Sequence, residues 1–350
     1  MRNSNLRPVY LWLWSGVILV SLMVIIGGIT RLTDSGLSMS DWNLIMGSIP
    51  PTSEVEWQQA FERYQEFPQY QQINHQMQLD EFKQIYFWEY LHRLLGRMIG
   101  IVFLVPFVYF WVKGYFDRKL LKRMFILLGL GAMQGAMGWI MVKSGLVDVP
   151  YVSHYRLALH FMLAVILIGF CLWYALDLKK YSLPPDSPTV LNRLKPWFWA
   201  ITVLFIIQMV YGAFTAGLDA GYLYNSFPKM GGQWLPPTFS MLEPYVANLV
   251  ENPGTVQWIH RVNGTLLALA VIGFWWKAVF NSNSAWIQAV SGILLSIILA
   301  QYLLGVLTLI YKVPVTLGVL HQAVAILFWI VLLLIAHRLY KSNGQVVATW

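Results

Sequence analysis

Long apolar runs follow one another along the chain, near residues 10–29, 87–112, 124–142, 157–176, 197–217, 256–280, 286–310 and 315–337. A helix needs about 20 apolar residues to cross a hydrocarbon core ~30 Å thick, so the pattern predicts eight spans and an all-α integral membrane protein. The first run follows a short basic start, "MRNSNLRP". It is longer than a signal-peptide core and has no small-residue cleavage site before "TRLTDSG", so it is expected to stay as a helix.

The polar segments between the runs are of two kinds. Lys and Arg gather in 113–123, in 178–195 and at both termini. Residues 31–84 instead hold eight acidic side chains against Arg31, Arg63 and Lys83, and 216–255 hold Asp219, Glu243 and Glu251 against Lys229. The positive-inside rule then puts both termini in the cytoplasm and both long loops outside, and a bacterial inner membrane is the simplest compartment. The composition, 57% hydrophobic and 11% charged, agrees with membrane lipid as the surroundings. The net charge of +8 reports topology and not a nucleic-acid partner. The single cysteine, Cys171, excludes an intrachain disulfide and a multi-cysteine metal site.

The chain is also written twice. "GGITRLTDSG" (27–36) aligns with "GAFTAGLDAG" (212–221), "WEYLHRLLGRMIGI" (88–101) with "VQWIHRVNGTLLAL" (256–269), "QGAMGWIMVKSG" (134–145) with "QYLLGVLTLIYK" (301–312), and "YRLALHFMLAVI" (155–166) with "LGVLHQAVAILF" (317–328). All four matches keep their order, which predicts a duplicated unit of four spans in parallel orientation. The expected architecture is two pseudo-symmetric four-helix bundles, residues 1–180 and 181–350.

Each half carries two intramembrane histidines, His92 and His160, then His260 and His321. All four lie in even-numbered spans near their outer ends, which predicts a common depth. Polar groups inside a span are costly and tend to face the bundle interior. Four residues after each histidine stand Gly96, Ala164, Gly264 and Ala325. A small residue one turn along the same face lets a flat macrocycle lie against the helix, and paired inward histidines suit haem iron. Helix packing alone explains any one such pair; four matching occurrences favour haem ligation. Zinc is the weaker alternative, because two histidines per half leave its shell incomplete.

Arg93 and Arg261 follow the first histidine of each half and suit haem propionates, with snorkelling to headgroups as the alternative. Arg31 and Lys229 are weaker candidates of the same kind. His75, His154 and His337 are expected to be solvated. The halves differ at one carboxylate: Glu89 precedes His92 by three residues, and Gln257 holds the matching position. Glu89 is therefore a candidate for proton transfer or for stabilising developing positive charge. A structural partnership with Arg93 or His92 is the alternative.

"GGITRLTDSGLSMSDWN" with "GSIPP", "EYLHRLLGR", "GAFTAGLDAGYLYNSFPKMGGQW", "WIHRVNG" and "LGVLHQ" resemble the haem A synthases, the group of the mitochondrial Cox fifteen-type and bacterial CtaA proteins. The resemblance covers nearly the whole chain. It implies oxidation of the C8 methyl group of haem O to a formyl group, giving haem A for cytochrome oxidase. It also implies haem b held by His260 and His321, substrate haem O held by His92 and His160, and Glu89 as catalytic carboxylate. Some members carry a cysteine pair in the first outer loop. Residues 31–84 hold none, which matches the cysteine-free branch.

Two oxidations at the methyl carbon followed by loss of water would give the formyl group. Bis-histidine ligation closes both faces of an iron, so either one substrate-side ligand lets go or the iron need not bind oxygen. A di-haem b-type electron-transfer protein is the rival reading, and it leaves Glu89 unexplained. Haem transport without chemistry is a third. The insoluble substrate leads to an expectation of contact with haem O synthase, while the electron donor and any homo-oligomer stay open at this level.

Overall fold

The computed structural model describes residues 5–39, 49–145, 150–178 and 188–341. Part of the 178–195 basic segment, the tip of the first outer loop and the extreme termini lie outside these residues. The helices are α1 (Arg7–Leu32), α2 (Glu54–Gln65), α3 (Pro68–Gln72), α4 (Leu79–Val112), α5 (Arg118–Gly145), α6 (His154–Leu178), α7 (Pro188–Gly217), α8 (Asn248–Glu251), α9 (Pro253–Asn281), α10 (Ala285–Ile310) and α11 (Val315–Lys341). Eight of them, α1, α4, α5, α6, α7, α9, α10 and α11, are long and apolar enough to cross a membrane. All eight expected spans are present. Contacts divide the chain into two compact units, one built on Ser15–Ile168 and one on Gly169–Trp350 with Ser4–Trp14.

In the first unit α4 is the organising element. Its 34 residues make a rod about 50 Å long, well beyond what a bilayer core requires. Hydropathy starts the span near residue 87, but the helix starts two turns earlier, because "LDEFKQIYF" is amphipathic and has a partner. Phe82 is fully buried among Phe61, Tyr64 and Trp57, with Ile85, Tyr86 and Tyr70 packed around them. Tyr64 stacks on Phe82 with centroids 5.2 Å apart. The partner helix α2 begins with a reciprocal cap, in which Glu56 N–H donates to Ser53 Oγ (3.3 Å) and Ser53 N–H donates to Glu56 Oε2 (3.3 Å). Sealing in this aromatic cluster pushes the Tyr64 phenol up to about 12. Beyond the cluster α4 rests on α5.

In the second unit α7 packs along α9, α9 on α10, α10 on α11, and α11 back on α7, which closes a ring of four helices. Phe205, Phe274 and Phe328 fill its interior, with Phe205 and Phe328 centroids 5.1 Å apart. The segment between α7 and α9 is tied down by amides. Asn252 caps α9 by accepting from Gly254 and Thr255 N–H, and Asn248 spans Leu242 N–H and C=O.

Two histidines depart from the solvated role expected of them. His337 is buried and its Nε2 lies 3.0 Å from Asp177 Oδ1, with the edge of Trp173 against its ring. His154 is buried at the start of α6 beside Tyr155. For His337 the Asp177 carboxylate supplies the contact that water was expected to give, and His154 instead packs its ring against Tyr155. His75 is exposed.

Candidate functional site

Each of the four intramembrane histidines lies against a glycine of the preceding long helix. A Cβ built on Gly27 would stand 3.1 Å from His92 Cε1, on Gly138 3.2 Å from His160 Cε1, on Gly212 3.2 Å from His260 Cε1, and on Gly305 2.9 Å from His321 Cε1. At Gly305 a side chain would force the imidazole to move, and at the other three positions a Cβ would be tighter than most real contacts. The pairs join α1 to α4, α5 to α6, α7 to α9 and α10 to α11. The aligned residues Asp34 and Asp219 both take left-handed φ angles, 51° and 52°.

One turn before three of these glycines stands a glutamine whose Nε2 approaches the histidine Nε2. The distances are 3.5 Å for Gln134 and His160, 3.3 Å for Gln208 and His260, and 3.3 Å for Gln301 and His321. His321 Nδ1 also lies 3.1 Å from the Gln301 carbonyl oxygen, an acceptor that fixes the proton on Nδ1 and leaves Nε2 as the available lone pair. The fourth position, beside His92, is Met23, whose Cε would lie 3.3 Å from a Cβ on Gly96. Sequence reasoning missed this set. Its signal was present as glutamine four residues before glycine in "QGAMG" and "QYLLG", and in "QMVYG" before Gly212.

The donor set fits haem. Nδ1 of His92, His160 and His260 is buried without a partner, and among the described residues no three of His, Cys, Asp and Glu gather as a metal-ion site. His260 and His321 stand with ring centroids 6.4 Å apart. Two imidazoles bound through Nε2 to opposite sides of one metal, at about 2 Å each, would place their centres about 6 Å apart. His92 and His160 belong to the same compact unit.

Glu89 is 2% exposed and fully engaged. Its Oε2 accepts from Ser38 Oγ and from Met39 N–H, both at 2.7 Å, and its Oε1 accepts from Arg93 Nη2 at 2.5 Å. Arg93 also donates to Met39 O at 2.9 Å, so carboxylate and guanidinium together pin residues 38–39 onto α4. The second unit repeats the arrangement with an amide. Arg261 donates to Gln257 Oε1 (3.0 Å), Tyr224 O (2.6 Å) and Ser226 O (2.8 Å), and Gln257 Nε2 donates to Ala220 O (2.8 Å). Holding a connecting segment on a histidine-bearing helix therefore does not require a carboxylate. Of the other candidates, Arg31 pairs with Asp34 at 3.0 Å, and Lys229 lies over the Trp234 ring.

An all-helical membrane protein with eight candidate spans, and with paired imidazoles cradled by glycine inside each compact unit, is of the haem-carrying class. The family model described as cytochrome oxidase assembly protein, COX15-CtaA, matches residues 10–333. A protein of Flavobacterium psychrophilum named heme A synthase is 42% identical over 342 residues, 97% of this chain and 100% of its own length. One of Nitrosospira multiformis with the same name is 43% identical over 338 residues, covering 96% of this chain and 94% of the relative. The heme A synthase of Parvibaculum lavamentivorans is 41% identical, covering 97% and 96%. The chain belongs to the COX15-CtaA family.

Proposed function

We infer that this protein is a haem A synthase, an oxidoreductase that converts the C8 methyl group of haem O to the formyl group of haem A for cytochrome oxidase. The observation that carries the reading is the charge difference between two corresponding positions, Glu89 and Gln257. Gln257 does in the second unit the docking that Glu89 does in the first, so the carboxylate of Glu89 serves chemistry. Substrate haem O binds between His92 and His160 in the N-terminal half, residues 1–180. Resident haem b binds between His260 and His321 in the C-terminal half, residues 181–350, and supplies the redox chemistry.

The protein's own part is positioning and charge. Gly27, Gly138, Gly212 and Gly305 let the imidazoles lie flush against their neighbours, which fixes the ligand planes. Ser38 and Met39 N–H orient the Glu89 carboxylate. In that position it takes up protons as the methyl carbon gives up four electrons to an external acceptor, for which dioxygen would serve, and gains two hydroxyl groups, before one water is lost from the resulting diol. Among the described residues Arg261 pairs with neutral acceptors, so it holds a haem propionate more strongly than Arg93, whose charge Glu89 offsets. Arg31, paired with the exposed Asp34, is the weakest of the three.

The compartment is a bacterial inner membrane, with both termini cytoplasmic and the haem sites near the outer face. The insoluble substrate passes by contact with haem O synthase. The test is the haem content of protein purified from cells that make haem O. Replacing His260 or His321 with Ala should remove haem b and leave haem O, and replacing His92 and His160 together should do the reverse. Loss of the same haem from both sets would refute the assignment.

A further inference from the structure

The two imidazoles of the first unit are not equally secured. His160 has an amide against its metal-binding nitrogen: Gln134 Nε2 lies 3.5 Å from His160 Nε2, and Gln134 Oε1 is buried without a partner. His92 has Met23 in the corresponding place, reaching over Gly96. A thioether has no N–H or O–H to donate, so it cannot satisfy an imidazole lone pair.

The difference is built in more than one position. In the second unit Asn263 donates to Gln208 Oε1 (2.8 Å) and to Leu204 O (2.9 Å), which ties the amide beside His260 to the backbone. The residue matching Asn263 in the first unit is Leu95. Both members of the polar pair beside His260, Gln208 and Asn263, are thus replaced by apolar residues beside His92.

We propose that His160 is the ligand that lets go of the substrate iron during turnover, with Gln134 as its alternative partner, and that His92 is the ligand that stays. This rests on the reading that substrate haem sits between these two histidines. A buried imidazole released from a metal leaves an unsatisfied nitrogen unless a donor is at hand. Gln134 provides that donor to His160. Among the described residues no amide or hydroxyl donor is found against His92, and its release is disfavoured accordingly. Gln134 is therefore a positioning residue, acting on the haem through His160. The face that opens is the one opposite His92.

The test uses the full-length protein loaded with haem O, followed by optical and EPR spectra and by carbon monoxide binding to the reduced form. The second-unit haem, unchanged in each variant, reports correct folding. His160→Ala should keep the first-unit haem, convert it to a high-spin form and speed carbon monoxide binding, whereas His92→Ala should lose it. Gln134→Leu should slow carbon monoxide binding to this haem about two- to tenfold, the equivalent of one net hydrogen bond. Gln208→Leu should leave that rate alone.

Loss of haem from His160→Ala with retention in His92→Ala would overturn the proposal. So would a carbon monoxide rate in Gln134→Leu equal to that of the parent protein. First-unit haem content unchanged in both histidine variants would overturn the underlying reading, and the proposal with it.

Discussion

Replacing Glu89 with Gln separates the docking role of this side chain from its chemical one. The carboxylate accepts three hydrogen bonds, from Ser38 Oγ, Met39 N–H and Arg93. An amide has one acceptor oxygen. If that oxygen faces Arg93, as Gln257 Oε1 faces Arg261, the amide nitrogen confronts Met39 N–H and both groups are donors. The second unit avoids this conflict because Gln257 Nε2 points at a carbonyl, Ala220 O. The Ser38 hydroxyl can rotate to accept, so one buried N–H is stranded, at a cost of about 1–3 kcal/mol. At roughly 2–4 °C per kcal/mol for a unit of this size, the melting temperature should fall by several degrees, and the protein should stay folded with both haems. Loss of a positioned acid–base group should lower haem A formation by about 10²–10⁴-fold. The assay pairs thermal unfolding and haem:protein ratio with mass analysis of extracted haems. Haem A formation within a few-fold of the parent rate, in a variant shown to have lost the carboxylate, would remove Glu89 from the mechanism.

Other outcomes follow from the same contacts. Arg93→Leu leaves the Glu89 charge buried without its cation and should destabilise by about 3–5 kcal/mol, more than Glu89→Gln; equal melting temperatures for the two variants would contradict the ion pair. Gly305→Ala forces a Cβ to 2.9 Å from His321 Cε1 and should cost the protein one haem, read as a lower haem:protein ratio, while Gly135→Ala, which meets nothing within 4 Å, should keep both. Asp177→Asn should destabilise by about 1–3 kcal/mol by weakening the contact to His337 while leaving the Soret spectrum unchanged; a changed spectrum would place this pair in the haem chemistry.

The backbone N–H of Thr52, then its hydroxyl, with Ser53 N–H, hold the Glu56 carboxyl below its usual range. A depressed pKa stabilises the folded cap above the ordinary carboxylate range, and that contribution disappears as pH falls through the lowered value. Trp57 fluorescence should report the change on acidification, and Glu56→Gln should flatten it.

The spans were legible in the sequence because lipid forces long apolar runs. The start of α4 was not, since its first two turns are polar on one face and their apolar partners, Trp57, Phe61 and Tyr64, lie elsewhere in the chain. The histidines and Glu89 stood out as costly groups in apolar surroundings. The glutamines and Met23 did not, because a neutral amide or a thioether within a span is unremarkable until its distance to an imidazole is known. The backbone partners of Arg93 and Arg261 and the carboxylate beside His337 were likewise invisible: Met39, Tyr224 and Asp177 are distant in sequence and meet these side chains only through packing.

The most direct measurement is mass analysis of haems extracted from cells that make haem O, with and without this protein. Haem A, or its hydroxymethyl precursor, should appear only in cells carrying the protein. Haem O that stays unmodified, with purified protein holding two low-spin haems, would contradict the account and favour an electron-transfer protein.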